Sequence, residues 1–182
     1  EAGKKQLTEP ISCEKATLED IPRIMEIVDY ARHTLGRRRV DQWQGEYPSP
    51  EIFRQDVERG ELYALRHGGE LAAFFLVTDR PEPCYDEITD GKWTPDLPYC
   101  VLHRCAVARE YRGTGMAERM LRFAEETARA LGGRTLRVDT HRKNKPMQQL
   151  LRSNGYRYRG NVLVDENGHD PARQAFEKIL KK

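Results

Sequence analysis

The chain has 182 residues, 38% hydrophobic and 33% charged, which suits one domain with a substantial core and a charged surface. Its 31 basic and 29 acidic residues leave a net charge of +2, too balanced for a nucleic-acid-binding module. No apolar run approaches the about 18–20 residues of a membrane span, and the polar start carries no secretory signal pattern. Cys13, Cys84, Cys100 and Cys105 show no Cys-x-x-Cys pairing and no His spacing suited to zinc. They read as reduced thiols of a cytoplasmic protein that holds no metal.

Ile11–Lys15 is a strand candidate. Thr17-Leu-Glu-Asp20 then resembles a helix start, with Asp20 answering Thr17 from three residues on and Pro22 in the first turn. Ile21, Ile24, Met25, Val28, Ala31 and Leu35 recur at threes and fours, the stripe of an amphipathic helix that Gly36 ends. Arg37-Arg38-Arg39 reads as a solvated loop, with contact to a polyanion or a cofactor phosphate as the alternative. Residues 36–48 form an irregular loop carrying Trp43 and Tyr47. Ser49-Pro50-Glu51 starts a second helix that stops at Arg59-Gly60. Residues 62–66 and 70–78 read as a hairpin about Gly68-Gly69, and 81–98 as a long proline-containing insertion.

Tyr99–Val107 is a strand, which places Cys100 and Cys105 on opposite faces and His103 on the same side as Cys105 and Val107. Beyond a glycine-containing loop, Ala117, Met120, Leu121, Ala124, Ala128 and Leu131 line one side of a helix that Gly132-Gly133 stops. Thr135–Thr140 is a strand, Lys145–Ser153 a short helix with Asn144 as its N-cap, and Asn154-Gly155 a left-handed exit. Residues 156–164 and 172–180 close the chain as an antiparallel pair about Asp165–Gly168. With no internal repeat or linker, residues 1–182 form one domain with its core over about 11–180.

The loop between strand and helix, Val107-Ala-Arg-Glu-Tyr-Arg-Gly-Thr-Gly-Met-Ala117, is the most informative stretch. A strand that turns into a helix this way leaves backbone N–H groups without partners, and the helix dipole adds positive potential there. Gly113 and Gly115 let a diphosphate approach the backbone, with Arg112 and Arg109 alongside. A nucleoside-triphosphate loop would need Gly-Lys-Ser/Thr, whereas Gly115 precedes Met116 and Ala117. The dinucleotide fingerprint lacks its third glycine, since Glu118 stands there, although Asp139 lies at a tolerable distance.

Arg112-x-x-Gly115-x-Ala117 resembles the pyrophosphate loop of the GCN5-related N-acetyltransferase (GNAT) superfamily. Leu136-Arg-Val-Asp-Thr-His-Arg-Lys-Asn144 and the following helix to Gly155-Tyr156 resemble its second signature. The resemblance spans about residues 11–180. It implies an α/β (α+β) GNAT fold: a central mixed, mostly antiparallel sheet of about seven strands, splayed in the middle and flanked by about four helices. It further implies acetyl-CoA as co-substrate, contacted by Cys105, Ala106 and Val107, by Arg112, Gly113, Thr114, Gly115, Met116 and Ala117, and by Asn144. Leu102-His-Arg-Cys-Ala-Val107 is similar to the arylalkylamine acetyltransferase strand and makes His103 the candidate general base, beside a structural role for the same histidine. The Val107 N–H is the expected oxyanion donor.

The family's usual tyrosine general acid, seven residues after the Asn, is replaced here by Leu151, with Tyr156 and Tyr158 as weak substitutes. Trp43, Tyr47, Tyr85, Trp93 and Tyr99, beside Asp86 and Glu87, are candidate acceptor contacts suited to a cationic small amine or a peptide amino group. The expected reaction is acetyl transfer to a primary amine by direct attack in a ternary complex, with a homodimer allowed. The alternatives are a non-catalytic CoA-binding sensor or an enzyme acting on protein amino groups.

Overall fold

The computed structural model describes residues 5–165 and 167–182; residues 1–4 of the expected domain and Glu166 of the Asp165–Gly168 turn lie outside the described residues. Among the described residues the strands are β1 (Ile11–Lys15), β2 (Leu62–His67), β3 (Glu70–Thr78), β4 (Tyr99–Val107), β5 (Thr135–His141), β6 (Arg157–Leu163) and β7 (Ala172–Ile179). The α-helices are α1 (Ile21–Arg37), α2 (Pro50–Glu58), α3 (Met116–Ala130) and α4 (Lys145–Ser153). The sheet order is β1-β2-β3-β4-β5-β7-β6, and β4 against β5 is its parallel pair. This is the expected mixed, open GNAT sheet.

Local chemistry explains the boundaries. The Thr17 N–H donates to Asp20 Oδ2 at 2.8 Å, a 3₁₀ turn follows, and α1 begins one residue later with Pro22 in its first turn. The Ser49 hydroxyl accepts from the Ile52 N–H at the start of α2. Gly60 takes φ +68° just after α2, a conformation a side chain would strain. In α3 the buried residues are Met116, Met120, Leu121, Ala124, Glu125 and Ala128. Leu131, expected on that stripe, lies past the helix end and is 42% exposed.

Two features of β4 create the site. Its pairing with β5 covers only Tyr99–Val101 against Thr135–Arg137, so the two strands part beyond that point. On the other edge, Leu76 faces His103 and Phe74 faces Ala106, leaving Phe75 opposite both Arg104 and Cys105. That extra residue is a β-bulge, and Arg104 takes φ +32° within it. The bulge overturns the expected alternation: His103 shares a face with Ala106 rather than with Cys105 and Val107. Counting from Cys100 to Cys105 fails across the same bulge, and both remain free thiols.

The bulge also decides which backbone groups of β4 are free. The Ala108 N–H donates to Ala72 O at 2.8 Å while Val107 stands opposite Ala73. In an antiparallel ladder this alternation turns the Val107 N–H away from β3, toward the side where β5 has parted. A buried amide there must find a partner. No helix among the described residues is long and apolar enough to cross a membrane.

Candidate functional site

The parting of β4 from β5 opens a cavity of about 740 Å³. Its wall includes Cys105, Ala106 and Val107 on β4, Arg112 of the following loop, Asn144, and Trp43 and Tyr47 of the loop after α1. His103 borders the same space.

At the loop end, Gly113 has φ +73° and Gly115 φ +86°. Among the described residues the Met116 N–H reaches Thr114 Oγ1 at 3.3 Å, while the amides of Gly113, Thr114, Gly115 and Ala117 find no partner. The Thr114 hydroxyl turns back to donate to Tyr111 O. A Cβ at Gly115 would meet nothing within 4 Å, so the loop is open rather than plugged. The Met116 side chain is fully buried in the core, so its contribution to a ligand is confined to its backbone.

Arg112 Nε is buried without a hydrogen-bond partner, and the guanidinium lies 4.8 Å from the Tyr30 ring centroid. Burial, with Arg38 adding repulsion, pulls the Arg112 guanidinium below its ordinary pKa. Arg38 also lines the cavity, so the basic run after α1 supplies more than a solvated loop. Open amides, an orphaned guanidinium nitrogen and a second arginine make a cradle that fits a diphosphate. A Gly115→Ala substitution is expected to cost about 1–2 kcal/mol of backbone strain and to project a methyl into this open space. Calorimetric titration should then show acetyl-CoA binding weakened at least tenfold; native-like affinity would remove the loop from the site.

At the opposite end, His103 Nε2 lies 3.1 Å from Glu82 Oε2. The bond from His103 lowers the Glu82 pKa to about 2 despite partial burial. A carboxylate only accepts, so Nε2 carries the hydrogen, and in the neutral ring the lone pair is then on Nδ1. Arg104 is held by Asp56, Nε at 2.8 Å from Oδ2 and Nη2 at 2.8 Å from Oδ1, and its Nη1 donates to Tyr47 Oη at 2.7 Å. Burial, with a smaller contribution from Asp139, raises the Cys105 thiol to about 12, which suits a small apolar wall residue rather than a nucleophile.

Asn144 caps α4, its Oδ1 accepting from the Met147 N–H at 3.3 Å while Nδ2 donates to Gln42 Oε1 at 3.2 Å. His141 is structural: Nδ1 accepts from the Lys143 N–H and Nε2 donates to Asp170.

Three expected acceptor contacts are misplaced. Tyr85, Trp93 and Tyr99 do not line the cavity but pack with Val101, Val162 and Ala175 in a second apolar cluster. The segment 81–98 folds down as a plug, with the Trp93 indole N–H donating to Tyr85 O and the Tyr85 hydroxyl to Asp139. Asp86 and Glu87 are exposed and likewise off the wall. Neither substitute tyrosine borders the cavity: buried Tyr156 donates to Glu125 Oε2 at 2.9 Å, and Tyr158 is 41% exposed. Leu151 is wholly buried. Sequence reasoning missed Glu82, Arg80 and Arg104, because only the 3₁₀ turn at Pro83–Glu87 and the β4 bulge bring them to the wall.

The description "Acetyltransferase (GNAT) family" matches residues 26–156, well over half of the chain. An acetyltransferase of the GNAT family from Streptococcus agalactiae is 34% identical, with TM-score 0.86 over 94% of this chain and 96% of that one. The N-acetyltransferase YesJ of Bacillus subtilis (strain 168) is 25% identical over 167 residues, 91% of this chain and 88% of its own. A more distant Salmonella typhimurium acetyltransferase, solved with its cofactor acetyl-CoA, is 13% identical and shares the fold, with TM-score 0.67 over 94% of this chain and 95% of that one. A seven-stranded sheet parted at its parallel pair, an open amide-bearing loop and these likenesses agree: the chain belongs to the acetyltransferase (GNAT) family.

Proposed function

We propose that this chain transfers an acetyl group from acetyl-CoA to a primary amine by direct attack in a ternary complex. The observation that carries this reading is the continuity of one cavity wall from Arg112 to His103 along the free edge of β4. Gly113, Thr114, Gly115 and Ala117 would present their amides to the diphosphate, with Arg112 and Arg38 neutralising it. The free edge of β4 at Cys105 and Val107 would pair with the extended pantetheine arm, and Asn144 would border it.

Acetyl-CoA supplies a thioester carbonyl for attack and a thiolate that departs as the C–S bond breaks. An alkyl amine of ordinary pKa is mostly protonated near neutrality, so a base is needed. His103 Nδ1 takes the proton from the amine while Glu82 holds Nε2–H and steadies the imidazolium that results. The Val107 N–H, facing the gap, donates to the oxygen on which charge develops. With Leu151 in the core, the thiolate leaves without a tyrosine; a thiol pKa near 8.5 makes that tolerable. The acceptor in this reading is a small amine.

Thermal denaturation with acetyl-CoA at one hundred times its Kd should show about 2.7 kcal/mol of stabilisation. For a chain of this size that raises Tm by roughly 5–11 °C. Absence of any shift with acetyl-CoA, free CoA or longer acyl forms would sink the proposal.

A further inference from the structure

The acceptor end of the cavity is lined by positive charge. Arg59, Arg80 and Arg104 all border it, whereas the carboxylates that hold two of them do not. Arg104 is braced by Asp56, which is 1% exposed, and Arg80 grips Glu61 with Nε at 3.0 Å and Nη2 at 2.8 Å. Glu61 in turn accepts from the Thr78 hydroxyl. Among the described residues Arg59 has no ion-pair partner within 4 Å. Each ion pair thus has its arginine on the cavity wall and its carboxylate set back from it.

The carboxylates that do border the cavity are committed elsewhere. Glu82 holds His103, and Asp139 accepts from the Tyr85 hydroxyl at 2.6 Å. Asp165 lies toward the β6–β7 turn, away from the Arg80–Glu61 pair in sequence and strand order. A guanidinium offers five N–H donors, of which Arg104 spends three on Asp56 and Tyr47. The remaining donors, with those of Arg80, are suited to a planar carboxylate.

We infer that the acceptor is a small primary amine that also bears a carboxylate, an amino acid or close analogue, with its carboxylate held by Arg80 and Arg104 and its amine presented to His103. The inference rests on the acetyl-transfer reading and narrows its substrate. It departs from the expectation of a cationic amine or peptide amino group held by aromatic rings beside carboxylates: Tyr85, Trp93 and Tyr99 are in the second cluster, Trp43 and Tyr47 remain on the wall, and guanidinium-bearing residues border the cavity beside them. Arg104 and His103 both border the one cavity, so a molecule within it can engage both residues.

The test measures thiol release from saturating acetyl-CoA with matched acceptors: amino acids, their C-terminal amides, and the corresponding decarboxylated amines. The carboxylate member of the best set is expected to exceed its amide and its amine in kcat/KM by at least tenfold. Arg80→Gln should lower that advantage to near unity, chiefly through KM, while Arg80→Lys keeps part of it. Acetyl-CoA stabilisation is followed in parallel as the measure of folding and cofactor binding. With that stabilisation intact, a ratio at or below one, a ratio insensitive to Arg80→Gln, or transfer to no carboxylate-bearing acceptor overturns the inference alone. Loss of acetyl-CoA stabilisation in the unmodified protein overturns the acetyl-transfer reading beneath it.

Discussion

His103→Ala is expected to lower kcat/KM for the best amine by about 10²–10⁴-fold, the usual contribution of a positioned acid–base group. The ring borders the cavity, and its Nε2–H is fixed on Glu82 at 3.1 Å, so Nδ1 is the free basic atom. Stabilisation by acetyl-CoA should persist in the variant, because the phosphate loop and the Val107 amide do not depend on the imidazole. The acidic limb of the kcat/KM–pH profile should also change, since the base must be unprotonated to accept the amine's proton. Glu82→Gln separates positioning from structure: Gln keeps the shape but loses the charge that favours the imidazolium. Its expected signature is a smaller fall in kcat with a displaced pH profile at little change in Tm. A His103→Ala enzyme within a few-fold of the native rate would assign proton removal to water and leave the ring a structural role.

Glu177→Ala is expected to destabilise the fold by about 3–5 kcal/mol, because it strands buried positive charge. Glu177 on β7 is 1% exposed and accepts from Arg137 Nε at 3.1 Å, Arg159 Nε at 3.0 Å and the Thr94 N–H at 3.0 Å. It therefore ties β5, β6 and the 81–98 plug to β7. Arg137 is 7% exposed and stacks 3.9 Å from the Tyr99 ring centroid, with no other carboxylate bonded to it among the described residues. The corresponding fall in Tm is roughly 6–20 °C.

The pH dependence has a definite sign. Burial alone would raise the Glu177 pKa, but bonds from Thr94 and Arg137 outweigh it and hold the group below its ordinary value. A depressed carboxylate contributes stability that is fully present above its unfolded pKa and lost as pH falls through the folded one. The gap in stability between native and Glu177→Ala should therefore narrow as pH drops below about 5, where the unfolded carboxylate begins to protonate. A gap that is small at neutral pH, or constant down to acid, would show that the cluster is solvated rather than buried.

Much of the scaffold was legible because its signals are local. Apolar spacing marked α1 and α3, Ser49 and Asn144 marked helix starts with bonds the structure contains, and Gly113 and Gly115 marked the loop by their need for positive φ. Arg112 stands beside that loop, and its buried Nε has no hydrogen-bond partner.

Side-chain direction on β4 was not legible. Alternation assumes one residue against one across a ladder, and the bulge at Arg104 and Cys105 breaks that count, so His103 faces with Ala106 instead of Val107. Nor could composition separate wall from core among the aromatics. Tyr85, Trp93 and Tyr99 bury more surface by packing on Val101 and Val162 than they would by lining a wet cavity.

The sequence by itself determined the order of elements, the amide-bearing loop and the family, since each depends on residues within one or two turns of each other. Only the tertiary structure decided what faces the reaction space. Glu82 meets His103 across 21 positions and Asp56 meets Arg104 across 48. The physical reason is that charge and direction at a site depend on which carboxylates stand behind which arginines, and a strand irregularity of one residue resets both.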